Sequence, residues 1–244
     1  MAVRRFLYLA LAVAALKVCI GAKVYNPPFD LYIFVREYSP GYCLHRHCNP
    51  GPESVFTIHG LWPEFANGSY PSYCSLPAGV PARSVIPLED LSEMNCVWPS
   101  LSGSNEELWL HEWNKHGTCA FPLIGNMPQY YSTVLELNRL YDLNAALADA
   151  EILPSNDGHY DLSMITQAVH DAFGVYPLVS CNDGAILEIW MCLNLALQPI
   201  ACPVHVYSGP RCSSDVDMPM GDAVSSSCQH FFPHPQEFAD NPVV

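Results

Sequence analysis

The chain has 244 residues, half of them hydrophobic and only 14% charged, with 22 prolines. That is enough apolar material for one domain with a substantial core, or for two small ones, and it is not the composition of a disordered chain. A formal charge of −14 excludes a protein that grips nucleic acid through a broad basic surface, but leaves room for a small cationic site.

In chain order, Arg4 and Arg5 precede an apolar run from Phe6 to Leu16. Lys17 interrupts it, and small residues follow at Cys19, Gly21 and Ala22. This is the pattern of a secretory leader cleaved after Gly21 or Ala22. Lys17 leaves the run too short for a membrane span. Residues 1–22 are therefore expected to be a signal peptide and 23–244 the mature protein, soluble and outside the cell or in a vacuole. Loss of three cations and no acid takes the mature charge to about −17. Of the 11 cysteines, Cys19 lies in the leader. The other ten are Cys43, Cys48, Cys74, Cys96, Cys119, Cys181, Cys192, Cys202, Cys212 and Cys228, an even set that implies disulfides in an exported chain. No C-x-x-C pair occurs, which argues against structural zinc. Asn67-Gly68-Ser69 is a glycosylation sequon, usable in that compartment.

Leu31–Val35 and Val55–His59 read as strands, the second ending at Gly60. Alternation places Val55, Thr57 and His59 on one face, with Phe56 and Ile58 on the other. His45 and His47 sit between Cys43 and Cys48, which suits a small disulfide-closed loop better than a metal site. Leu88–Cys96 reads as a short helix before Trp98-Pro99. Ser104 followed by Glu107 is a capping box, and the helix it starts is expected to stop at Gly117. Pro128–Leu140 is a further helix. Leu162, Ile165, Val169, Ala172 and Phe173 have helical spacing up to Gly174. Leu178–Cys181, Ile186–Leu193 and Pro199–Cys202 read as strands. Helices and strands mix without a βαβ repeat, so the expected class is α+β. The tail from Gly221 to Val244 carries few signals besides Cys228.

The helix over 105–116 concentrates chemistry. Residues advance by about 100° each, so with His111 at zero Lys115 lies near 40°, Glu112 near 100° and His116 near 140°. Two imidazoles, an ammonium and a carboxylate share one face, a set that binds an anion and moves protons. Trp113 falls outside the arc, where it can anchor the helix. An ordinary solvated face with a Glu112–Lys115 pair is the plainer alternative, and the local density of histidine and tryptophan weighs against it. A zinc-protease helix needs its second histidine four residues after the first. Here that position is Lys115, and His116 comes one residue late. His59, at the end of a strand and ahead of a glycine, can supply a second proton-transfer group across a cleft.

The segments FTIHGLWP, residues 56–63, and HEWNKHGTC, residues 111–119, together resemble the two signatures of the ribonuclease T2 family, which includes the self-incompatibility ribonucleases and their S-like relatives. The similarity extends from about Phe29 to about Pro219 and includes YDLSMITQAVHDAFG. The resemblance implies the ribonuclease T2 fold, a mainly antiparallel sheet packed with helices and held by disulfides, in one domain with a core over 29–219 and a tail over 220–244. It implies a metal-independent, cofactor-free endoribonuclease acting on single-stranded RNA through a 2′,3′-cyclic phosphate, of the plant type; the acidic charge favours an S-like member, and a monomer is expected. By the same resemblance His116 is the general base, His59 the general acid and His111 a phosphate contact, while Glu112 and Lys115 stabilise the pentacovalent transition state. Trp62, Glu64 and Tyr70 match a base-binding site. The implied pairs are Cys74–Cys119, Cys181–Cys212 and Cys192–Cys202.

Three departures stand out. Glu37-Tyr38 replaces the family's usual Gln-Trp, which leaves base preference open. Only one cysteine stands near Cys48 where adjacent cysteines are usual. Cys96 precedes Trp98 instead of following the Trp-Pro pair. The pairing of Cys43, Cys48, Cys96 and Cys228 therefore stays open. A storage or recognition role on the same fold would be marked by loss of an active-site histidine, and none is lost.

Overall fold

The computed structural model describes residues 28–48, 53–74, 85–206 and 209–232. The expected leader at 1–22 lies outside them, as does the tail from 233 onward. Strand β1 (Leu31–Tyr38) pairs antiparallel with β2 (Phe56–Glu64) on one side and with β5 (Ala185–Leu193) on the other. β4 (Leu178–Asn182) adds antiparallel to β5. Two short strands complete the sheet: β6 (Asp215–Asp217) touches β5 in parallel at Ala185–Asp217, and β3 (His159–Asp161) pairs antiparallel with β6. The sheet is thus mainly antiparallel, and the fold is α+β, as the element pattern suggests. Strand β2 lies at its edge.

Five disulfides join the described residues: Cys43–Cys48, Cys74–Cys119, Cys96–Cys228, Cys181–Cys212 and Cys192–Cys202. The four cysteines left open by sequence pair locally, as Cys43–Cys48, and across 132 residues, as Cys96–Cys228. The long link ties the tail to α2 (Leu88–Val97).

Helices α2, α3 (Asn105–Lys115) and α4 (Met127–Leu140) cover one face of the sheet. Met94, Val97, Trp109, Trp113, Tyr130, Tyr131 and Val134 bury against Tyr32, Phe34, Ile58 and Leu61. Burial of each large apolar side chain contributes about 1.5–3 kcal/mol, which is what holds α3 down. A second cluster forms where α5 (Leu143–Asp149) and α6 (Leu162–Phe173) meet Tyr38, Phe56 and Ile189. On the opposite face Leu31, Ile33 and Val35 pack with Cys192 and Val206.

Local chemistry explains the boundaries. Ser104 Oγ accepts from Glu107 N and the Glu107 carboxylate accepts from Ser104 N, so the capping box is complete. Asp161 caps α6, and Gly174 ends it in the left-handed region at φ 79°. Gly117 differs from expectation. Helix α3 stops at Lys115, His116 is its C-cap, and Gly117 opens a 3-10 turn over Gly117–Ala120. Its need for glycine is steric, because a Cβ there would lie 2.5 Å from Trp113 Cε3.

Both early strands run longer than the sequence pattern suggests, since β1 and β2 continue through Arg36–Tyr38 and Gly60–Glu64. The expected strand at Pro199–Cys202 is absent. It is reduced to one bridge, Leu193–Pro199, with Ile200 N donating to Cys192 O, because Pro199 and Pro203 lack the N–H groups a ladder requires. Helices α1 (Ser39–Cys43) and α5, and strands β3 and β6, are too short to show a periodicity.

Candidate active site

The strand and helix signatures meet at the β2 edge. Their junction depends on a β-bulge. Val35 pairs with Gly60 and Arg36 with Ile58, so His59 is the extra, unpaired residue. His59 and Trp62 are three residues apart and would point to opposite faces of a regular strand. The bulge cancels that parity, and the two rings lie 5.0 Å apart, edge to face. Trp98 holds the bulge by donating from Nε1 to His59 O at 2.8 Å. Trp109 Nε1 in turn donates to Trp98 O, and Tyr131 Oη donates to Trp109 O. A line of buried aromatic donors from α4 through α3 thus fixes the backbone at His59.

Trp62 joins the two halves. His116 stacks on it at 4.9 Å and 20°. Its Nε1 donates to Glu112 Oε2 at 2.7 Å, and Trp190 packs edge-on at 5.2 Å. Glycine is required at position 60, since a Cβ there would stand 2.0 Å from Glu112 Oε2 and 2.6 Å from Trp62 Nε1. The order His-Gly-Leu-Trp therefore supplies a bulged imidazole, a gap for the carboxylate, a core leucine and the indole that bonds it.

The helical face reaches the site as the wheel suggests, but with unequal exposure. Glu112 and His116 are buried, Lys115 is partly buried and His111 is exposed. His59 Nε2 lies 4.0 Å from Glu112 Oε1, and its Nδ1 is 2.6 Å from Glu188 Oε1. Burial opposes a charge on His59, but hydrogen bonding to Glu188 and the fields of Glu112 and Glu37 outweigh it and lift its pKa to about 9. His116 goes the other way. Burial, reinforced by Lys115, His59 and His111, depresses it to about 2. His116 Nδ1 makes no hydrogen bond among the described residues. The pKa of His111, exposed at the surface, is lowered by partial desolvation and by Lys115 and His59. Burial raises Glu112.

Of the residues expected to bind a base, Tyr70 is exposed, with its ring 6.5 Å from that of His116. Trp62 has one face covered by His116. Glu64 is buried, and burial lifts its pKa to about 7. Asn67 is exposed, and its Oδ1 accepts from the N and Oγ of Ser69. His45 pairs with Asp183 at 2.6 Å in the loop closed by Cys43–Cys48.

Sequence reasoning missed Glu188 and Trp190. The signal was present: Glu188 is a lone acid inside the apolar run Ile186–Leu193. Its meaning depends on β5 lying beside β1, far along the chain from His59. Glu37, His59 and Glu188 form the one group of potential metal-ligating atoms found among the described residues, all within 4.8 Å of one another. The imidazole nitrogen facing the carboxylates is already engaged by Glu188.

Residues 29–202 match the family model described as the Ribonuclease T2 family. The chain belongs to the ribonuclease T2 family. It is 37% identical over 194 residues to ribonuclease DdI of Dictyostelium discoideum, covering 78% of this chain and 85% of that protein. It is 32% identical over 228 residues to extracellular ribonuclease LE of Solanum lycopersicum, covering 88% of this chain and 95% of the relative. Its fold is similar to that of RNase NT, solved in complex with 5′-AMP, with a TM-score of 0.69 and 32% identity over 78% of this chain and 98% of that one. No helix among the described residues is long and apolar enough to cross a membrane.

Proposed function

We propose that this chain is a secreted, monomeric endoribonuclease that cleaves single-stranded RNA without a metal, by transphosphorylation. The observation that carries the reading is the pair of imidazoles flanking Trp62, with His59 set against Glu188 and Glu112 and His116 buried, surroundings that raise the pKa of the first and depress that of the second. Proton transfer needs one of each. His116, neutral, takes the proton from the ribose 2′-hydroxyl. The oxygen attacks the adjacent phosphorus, and the P–O5′ bond breaks. His59, protonated through Nε2, gives its proton to the departing 5′-oxygen. The nucleophile is internal to the substrate, so no metal-bound water is required, and DNA lacks it. Lys115 and His111 face the phosphate, and Glu112 acts with Lys115 on the pentacovalent transition state. The product is a 2′,3′-cyclic phosphate, hydrolysed in turn to a 3′-phosphate.

Tyr70 and the uncovered part of Trp62 are stacking surfaces that tolerate any base, beside Glu64, which supports low base specificity. Because burial and cations hold His116 neutral into the acid range, cleavage is expected to persist at low pH. The leader pattern at 1–22, five disulfides and an exposed sequon at Asn67 support passage through the secretory pathway. Cys96–Cys228 staples the described part of the tail to α2, which supports a single domain. Digestion of a defined RNA in EDTA, with the product ends mapped, tests the reading. The expected result is cyclic-phosphate ends and intact DNA. Activity abolished by EDTA contradicts it.

A further inference from the structure

Behind His59 the sheet places two carboxylates directly opposite each other. Glu37 on β1 and Glu188 on β5 are cross-strand partners on one face. Like charges in that relation destabilise a sheet unless a cation sits between them. The group beside them is the His59 ring, with Nδ1 at 2.6 Å from Glu188 Oε1 and Nε2 turned to the cleft, 4.0 Å from Glu112 Oε1. Glu188 is itself held. Its Oε2 accepts from Trp190 Nε1 at 2.8 Å, and Trp190 leans on Trp62. Both oxygens of a buried carboxylate are therefore engaged, one by an indole that cannot titrate and one by the imidazole.

On the basis of the ribonuclease reading, we propose that Glu188, locked by Trp190, is the positioning residue of His59: it keeps Nδ1–H turned into the sheet and Nε2–H turned to the leaving oxygen, and it supplies the counter-charge for the imidazolium. Glu37 is the secondary partner. Burial pushes its carboxyl up to about 7, with His59 pulling it back and Glu188 pushing it further. The titratable groups that act on His59 are Glu37 from β1, Glu188 from β5, and Glu112, His111 and His116 from α3 and its C-cap, with Lys115 acting on those last three. Arg46 acts on Glu37 from the Cys43–Cys48 loop. Glu188 is the one of these bonded to the ring nitrogen. It also has a donor of its own fixing its direction, which a carboxylate serving only the packing of β5 would not need.

The test uses the full mature chain and two near-isosteric variants, Glu188→Gln and Trp190→Phe. The readouts are the titration of His59 by imidazole 15N shifts and the pH dependence of RNA cleavage. Glu188→Gln should lower the His59 midpoint by about 1–3 pH units, the usual effect of one adjacent opposite charge. The alkaline limb of kcat/KM should move down with it, kcat should fall and KM should stay within about twofold. Trp190→Phe should produce a shift in the same direction but smaller. A His59 midpoint unchanged in Glu188→Gln overturns the proposal. So does a loss of activity carried by KM with the alkaline limb in place. If the His59 midpoint shifts as expected but the wild-type chain cleaves no RNA, the Glu188–His59 coupling stands and the ribonuclease reading fails.

Discussion

His59 and His116 lie against the same indole, yet their surroundings have opposite signs. His59 comes from a bulge in an edge strand and looks onto three glutamates: Glu37 and Glu188 of the sheet and Glu112 of α3. His116 comes from the end of a helix, is sunk between Trp62 and the core, and has cationic neighbours. The strand side is a carboxylate nest that favours an added proton. The helix side repels one. Identical side chains thus hold different protonation states near neutral pH from position alone, which leaves the charged one a proton to give and the neutral one free to take one. The C-terminal helix dipole would favour a charged His116, but desolvation and Lys115 prevail.

The comparison can be broken at its ends, at its junction or at its support. The largest effect is expected from His59→Ala and His116→Ala, each lowering kcat by about 10²–10⁴-fold with cyclic-phosphate formation as the assay. Their double variant should lose little beyond the worse single one, because the two act in one step. Gly60→Ala attacks the junction. Its methyl group would displace the Glu112 carboxylate from Trp62, and misplacement of about 1 Å costs about 10²-fold in rate. Activity should fall that far while thermal unfolding changes less than for a core cavity. Gly117→Ala is milder. The added Cβ meets the Trp113 ring beneath the His116 turn, and overpacking of this kind costs about 1–3 kcal/mol, measurable by denaturant unfolding. The pH profile sharpens the contrast. The pKa of His59 is raised, so its protonated form exists below about 9 and disappears above it, and kcat/KM should fall as pH rises through that value. The pKa of His116 is depressed, so its neutral form persists into acid.

The helix side of this contrast was legible in the sequence. Ser104 and Glu107 announce α3, the wheel brings His111, Glu112, Lys115 and His116 to one face, and Trp113 lands in the core as its position outside that arc suggests. The elements are local, and so are the signals. The strand side was legible only in part. Alternation gives His59 a face, but the bulge that brings His59 and Trp62 together is a property of the register with β1, not of FTIHGLWP alone. Glu188 and Trp190 approach His59 only because β5 is the other neighbour of β1. The same reason accounts for the Cys96–Cys228 pair, whose partners are brought together by the fold. The reason is local for Pro199–Cys202, where Pro199 and the following Pro203 leave an apolar segment without a ladder.

The two imidazoles are held in opposite protonation states within one cleft. They are tested most directly by the 15N spectrum of selectively labelled histidine in a chain of residues 23–244 at neutral pH, with His59 and His116 assigned by substitution. The expected result is an imidazolium signal for His59 and a neutral, single-tautomer signal for His116 that persists to acid pH. Two rings titrating together near the ordinary histidine value, or the two states reversed, would contradict it.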